Sequence, residues 1–124
     1  MKVVHGIITS KYGYRKHPIT GKHHHHNGID IAAPIGTPIF TPVTGQVVSI
    51  GGDQWNGNQV RIQSELHTFI FLHLHSFAVK PGQHVIKGQN IATVGATGQV
   101  TGAHLHFEVH TSHIPINPEP YITF

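Results

Sequence analysis

The sequence predicts a mostly β domain, built as a small sheet, sandwich or barrel. Three observations carry this. Short apolar or alternating runs are separated by glycine-rich breaks at 51–52, 56–58, 81–82, 87–88 and 95–102. No window sustains the 3.6-residue period of an amphipathic helix. Charged residues make up only 10% of the chain, against 14 glycines and 8 prolines. That mixture suits strands and tight turns better than solvated helices.

The elements follow in order. Residues 38–50 read as extended chain around a turn. Residues 58–63 read as a short strand with Val60 and Ile62 on one face, since alternate side chains share a face. Residues 66–74 are mostly apolar and read as a buried strand. Residues 90–94 and 104–110 add two more. With 124 residues, no linker and no large repeat, residues 1–124 are expected to form one domain. The run His23–His26 has the look of an affinity tag, but it is internal and leads directly into a patterned segment.

Composition excludes several classes. Cysteine is absent, which removes disulfides, thiolate nucleophiles and thiolate metal sites. The formal charge of +3 comes without a dense Lys/Arg cluster, so no nucleic-acid partner is expected. No stretch reaches the ~20 apolar residues of a membrane span. Residues 1–10 are too short and too broken by His5 and Gly6 for a signal peptide. The expectation is therefore a trimmed chain or another route to the substrate. The anomaly is histidine, with 14 copies against 5 acids and 8 bases.

Three constellations carry chemistry. In His26-Asn27-Gly28-Ile29-Asp30, an imidazole and a carboxylate lie four residues apart. Asn27-Gly28 signals a turn, so the backbone must bend to bring them together. An exposed histidine and a turn aspartate would be the ordinary alternative. In His104-Leu105-His106-Phe107-Glu108-Val109-His110, strict alternation sets an apolar face against a face of His104, His106, Glu108 and His110. Residues i and i+2 of a strand project to one side about 6.6 Å apart, so two imidazoles can look into one cleft. A half-solvated strand would look the same, and spacing does not choose between His104 and His106 as a ligand. In Phe71-Leu72-His73-Leu74-His75, a histidine ends an apolar strand near a sheet edge; a satisfied core histidine is the alternative. The His-Glu-x-x-His zinc motif, phosphate loops and the Gly-x-Ser-x-Gly elbow are all absent. Histidine with one aspartate remains, which is chemistry for a metal such as zinc.

Taken together, these segments resemble the lysostaphin-type zinc endopeptidases, the M23 or LytM-type family. The resemblance runs through Tyr12-Gly13-Tyr14-Arg15, His17-Pro18-Ile19-Thr20-Gly21, His26-Asn27-Gly28-Ile29-Asp30 and Gly36-Thr37-Pro38-Ile39. It continues through Gly45-Gln46-Val47, Phe71-Leu72-His73-Leu74, Val79-Lys80-Pro81-Gly82, Gly88-Gln89 and Gly95-Ala96-Thr97-Gly98, and closes on Gly102-Ala103-His104-Leu105-His106-Phe107-Glu108-Val109. It implies a small antiparallel β structure with the site in a groove edged by loops. It implies one zinc ion held by His26, Asp30 and His106, with His73 and His104 as catalytic groups beside it. The implied substrate is the stem or cross-bridge peptide of bacterial peptidoglycan, cut outside the cytoplasm, with a monomer expected. Two departures stand out. Phe71 replaces a frequent tyrosine, and the histidine-rich segment before His26 lacks the tyrosine that some relatives place near the metal.

Three other readings compete. One is a relative of the same fold with a disabled site that only binds or regulates. Another is a sugar-phosphotransferase carrier of related β architecture that uses a histidine pair. The third is a four-histidine metal-storage or oxygenase site built from His73, His75, His104 and His106.

Overall fold

The computed structural model describes residues 2–16, 21 and 23–122. Within them the chain forms twelve strands: β1 (Ile7–Ser10), β2 (Gly13–Lys16), β3 (His23–His26), β4 (Ile29–Ala32), β5 (Pro38–Phe40), β6 (Gly45–Asp53), β7 (Gly57–Ser64), β8 (His67–Phe77), β9 (His84–Val85), β10 (Asn90–Val94), β11 (His104–Thr111) and β12 (Ile114–Ile116). One 3-10 turn, Glu119–Tyr121, follows. The His17–Thr20 part of the sequence motif lies outside the described residues.

Ten strands make one open sheet, in the order β1-β4-β11-β8-β7-β6-β9. Strand β10 pairs with both β5 and β8, and β12 pairs with β11. All pairings are antiparallel. A two-stranded ribbon, β2-β3, stands apart. The long β8 is the hub. It pairs with β11 through His67–Leu72 and with β10 through Leu74–Phe77, so one strand serves two parts of the sheet.

Patterning explains the core. On β11, Leu105, Phe107 and Val109 are fully buried, as the alternation predicts. Val60 and Ile62 of β7 face the same core, together with Phe69 and Phe71 of β8. The Phe71 and Phe107 rings lie 5.1 Å apart, and Phe69 stacks on Phe107 at 6.4 Å. Each such ring contributes roughly 1.5–3 kcal/mol by leaving water. On β4, Ile29 and Ile31 are buried, which turns Asp30 to the opposite face.

Three boundaries differ from the sequence expectation. Gly51-Gly52 does not break the chain: β6 runs through to Asp53, and the turn comes at residues 54–56. Leu66 belongs to the exposed turn before β8, not to the buried strand. The strands β1 to β4 are four residues each, too short for the sequence pattern to announce, and pairing with neighbours defines them.

Candidate metal centre and catalytic groove

The site is assembled where β4 meets β11. Their register sets His106 opposite Asp30 and Leu105 opposite Ile31, so the core pair and the polar pair alternate together. The bend at Asn27-Gly28, between β3 and β4, then carries His26 over Asp30. A Cβ on Gly28 would sit 2.4 Å from the Phe107 carbonyl oxygen, 2.8 Å from Glu108 Cγ and 3.1 Å from His106 Cε1. The bend therefore packs directly on β11, and only glycine fits.

The resulting geometry is convergent. His26 Nε2 lies 3.2 Å from Asp30 Oδ2, and His106 Nδ1 lies 2.6 Å from Asp30 Oδ1. One ligand atom from each of His26, Asp30 and His106 falls within 4.8 Å of the others, and this is the cluster of that kind among the described residues. Three non-thiolate donors of this type suit zinc and leave a fourth tetrahedral position open.

Neighbouring groups fix the ring orientations. His26 Nδ1 donates to the Lys11 carbonyl at 2.9 Å, which makes Nε2 the lone-pair nitrogen of the neutral ring. His106 Nε2 lies 2.6 Å from Glu108 Oε2, and Glu108 Oε1 lies 2.6 Å from His110 Nε2. With Nε2–H donated to Glu108, His106 presents Nδ1 toward Asp30. A carboxylate behind a ligand histidine is the usual outer support of a zinc site.

His73 and His104 stand beside this cluster. Their rings are 4.9 Å apart, and His73 is 6.2 Å from His106 between ring centres. His73 Nδ1 donates to the Thr97 carbonyl at 2.8 Å, and His104 Nδ1 donates to the Gly102 carbonyl at 3.0 Å. His73 is 8% exposed, and its backbone has φ +67°, a left-handed conformation that costs a non-glycine residue about 1–3 kcal/mol. It falls where the β7 register slips, from Val60 opposite Phe71 to Asn58 opposite Leu74, and just past Leu72, the last β8 residue paired with β11. The bulge turns an imidazole out of an otherwise apolar strand into the groove.

Electrostatics follow from this packing. Burial disfavours the His106 cation, but the Asp30 and Glu108 carboxylates outweigh it and push the pKa up to about 9. Burial alone would raise the Asp30 and Glu108 carboxyls, yet their histidine partners hold both below the usual range. His73 goes the other way: burial pushes it down, although its bond to Thr97 opposes this.

A groove of about 580 Å³ runs over the cluster, with Asp30, His73, His104 and His106 on its floor and Gln99, Val100 and Thr101 as a wall. An adjoining cavity of about 350 Å³ shares Asp30, Thr101 and His104 and extends toward Thr9 and Gly102. All five residues expected from the sequence thus meet in one place. His75, the fourth member of the four-histidine alternative, is exposed and outside the convergent cluster. Sequence reasoning did not assign roles to Glu108, His110 and Thr97. Glu108 and His110 lie on the same alternating face as His106, and that was the available signal.

The chain is 43% identical over 112 residues to the peptidoglycan DD-endopeptidase ShyB of Vibrio cholerae, covering 89% of this chain and 26% of that protein. It thus spans about a quarter of that relative's length. A zinc-containing peptidase of Vibrio cholerae superposes with a TM-score of 0.81 at 43% identity, over 89% of this chain and 35% of the other. The catalytic domain of lysostaphin from Staphylococcus simulans gives a TM-score of 0.82 at 30% identity, over 94% of this chain and 91% of that domain. The profile of Peptidase family M23 matches residues 24–118, a span that holds His26, Asp30, His73, His104 and His106, and the chain belongs to that family.

Proposed function

We propose that this chain is a zinc-dependent endopeptidase domain that hydrolyses the peptide cross-links or cross-bridges of bacterial peptidoglycan, outside the cytoplasm. The observation that carries the reading is the convergence of His26, Asp30 and His106 beneath a groove that also exposes His73 and His104. The groove continues on both sides of Asp30 and His104, which suits an extended peptide better than a compact ligand.

In this reading His26, Asp30 and His106 hold the metal, through Nε2, a carboxylate oxygen and Nδ1. Zinc bound there would supply Lewis acidity for polarising a carbonyl and activating a water. His73 is the proton carrier. Its Nδ1–H is committed to the Thr97 carbonyl, so Nε2 accepts the water proton and returns it to the leaving amine. His104, held at Nδ1 by the Gly102 carbonyl, turns Nε2 toward the metal ligands, 3.8 Å from Asp30 Oδ1, and is the second catalytic group beside the scissile carbonyl. A binding-only relative would be expected to lack a ligand or a base, and here all five positions carry one. No site beyond the histidine pair is needed by a phosphoryl carrier, so the metal cluster would be unexplained on that reading.

Digestion of purified muropeptides of defined cross-link, read by mass spectrometry, tests the proposal. Zinc-loaded protein should release the two halves of at least one cross-linked species, and chelated protein should not. Intact substrate across glycine-bridged and directly cross-linked muropeptides, with zinc bound, would refute it.

A further inference from the structure

We propose that Thr97, with the Asp53–Asn56 turn behind it, is a positioning device that locks His73 in its left-handed conformation and in the Nδ1–H tautomer. This rests on the reading of His73 as proton carrier. Two segments grip the histidine from opposite sides. The Asn56 carbonyl accepts its backbone N–H at 3.0 Å, and the Thr97 carbonyl accepts its Nδ1–H at 2.8 Å. A carbonyl can only accept, so this arrangement leaves the lone pair on Nε2.

Both segments are themselves tied. Thr97 Oγ1 donates to the Leu74 carbonyl at 2.8 Å and accepts the Asn58 N–H at 3.0 Å. One hydroxyl therefore links the 95–102 loop to β7 and to the residue after His73. Asn58 Nδ2 reaches the same Leu74 carbonyl at 3.1 Å. On the other side, Asp53 Oδ1 accepts the N–H groups of Trp55 and Asn56 at 2.8 and 2.6 Å, and the Trp55 carbonyl accepts the Gln99 N–H at 2.9 Å. The two segments touch at Gly57, where an added Cβ would lie 2.4 Å from the Thr97 carbonyl. This is a network of side-chain and backbone hydrogen bonds around one strained residue. Its function is orientation, because neither Thr97 Oγ1 nor Asp53 touches the metal ligands.

Thr97→Val keeps the shape and removes the linking hydroxyl, and Thr97→Ser restores it. The readouts are the ¹⁵N shifts of the His73 imidazole in zinc-loaded protein, together with kcat, KM and bound zinc. The wild type should show the Nδ1–H tautomer. Thr97→Val should mix in the other tautomer and lower kcat by roughly 10–100-fold, the scale of a small misplacement. KM and zinc content should hold, and Thr97→Ser should recover both signals. Asp53→Ala, at an exposed position, should move tautomer and kcat in the same direction and serves if Thr97→Val does not fold. An unchanged His73 tautomer in these variants overturns the proposal, whatever happens to the rate. So does a rate loss that tracks zinc loss and is not rescued by serine. If the wild type cleaves no muropeptide, the hydrolase reading fails while the tautomer measurement still decides the clamp.

Discussion

His106 and Asp30 are direct partners across the β11–β4 ladder, and their side chains meet with Nδ1 2.6 Å from Oδ1. A ligand pair built on paired strands inherits the rigidity of the sheet. In the proposed assignment, His106→Ala removes one of three protein bonds to zinc. Metal should be lost or greatly weakened, and thermal stability should fall with it, because metal affinity for the folded chain is folding free energy. His73→Ala should keep zinc and lose turnover by roughly 10²–10⁴-fold, the scale of an acid–base group. Metal analysis beside kinetics separates the two. The roles are reversed if His73→Ala sheds zinc while His106→Ala retains it.

Glu108 supports the same ligand from behind. Replacing it by alanine removes the acceptor at His106 Nε2 and also strips His110 of its partner. Zinc affinity, measured by competition with a chromophoric chelator, should fall by roughly 10–100-fold. Glu108→Gln retains an acceptor without the charge and should fall between the two. Equal affinity in all three proteins would remove Glu108 from the metal centre.

How much of this was legible depended on the type of signal. The His104/His106 face was readable because strand alternation is short-range and Leu105, Phe107 and Val109 declare the opposite face. The meeting of His26 with Asp30 was readable only as a bend at Asn27-Gly28. That the bend packs on Phe107 and Glu108, about eighty positions along the chain, is a tertiary fact with no local trace. His73 was recognisable as a patterned histidine, but its positive φ coincides with a register slip against β7 that local sequence does not show. The strands β1 to β4 have no counterpart in the sequence reading because four residues, even alternating as in Ile29–Ala32, give too few repeats to tell a strand from a turn.

Gly28 is the tightest contact of the site. Gly28→Ala would drive a methyl against the Phe107 carbonyl and the Glu108 and His106 side chains. Overpacking of this kind costs about 1–3 kcal/mol. The variant should denature at lower urea concentration and bind zinc more weakly, since the bend that delivers His26 must shift. Wild-type values for both would mean the bend has slack that the packing does not suggest.

Metal-free protein should carry a specific pH dependence. The folded pKa of His106, about 9, lies above the ordinary histidine value of about 6.5. The folded state therefore binds the proton more tightly than the unfolded chain does. That contribution is fully present below about pH 6.5 and is lost as pH rises through about 9. Melting temperature of the chelated protein should decline across this window, and His106→Gln should flatten the decline. Because zinc competes with the same proton, apparent zinc affinity should climb over the same range. A chelated protein that grows more stable from about pH 6.5 to about pH 9 would contradict the ion pair.

Activity should fall on the acid side, in two separable steps. His73 must be neutral to accept a proton, and burial pushes its pKa down from the ordinary value, with the Thr97 carbonyl opposing. Its limb in kcat/KM should accordingly fall below about pH 6.5, not above it. The metal ligands form the second step, as protons displace zinc from His26 and His106. Recording bound zinc in parallel with rate assigns each limb: the His73 limb appears with zinc still bound, and the ligand limb tracks metal loss. Substituting His73 should abolish the first limb in the residual activity and leave the second in place. A rate that stays flat down to about pH 4, well beneath the reference histidine pKa, would rule out histidine as the proton carrier. A zinc-retaining limb that persists unchanged in His73→Ala would assign it to another group, with His104 as the next residue to test.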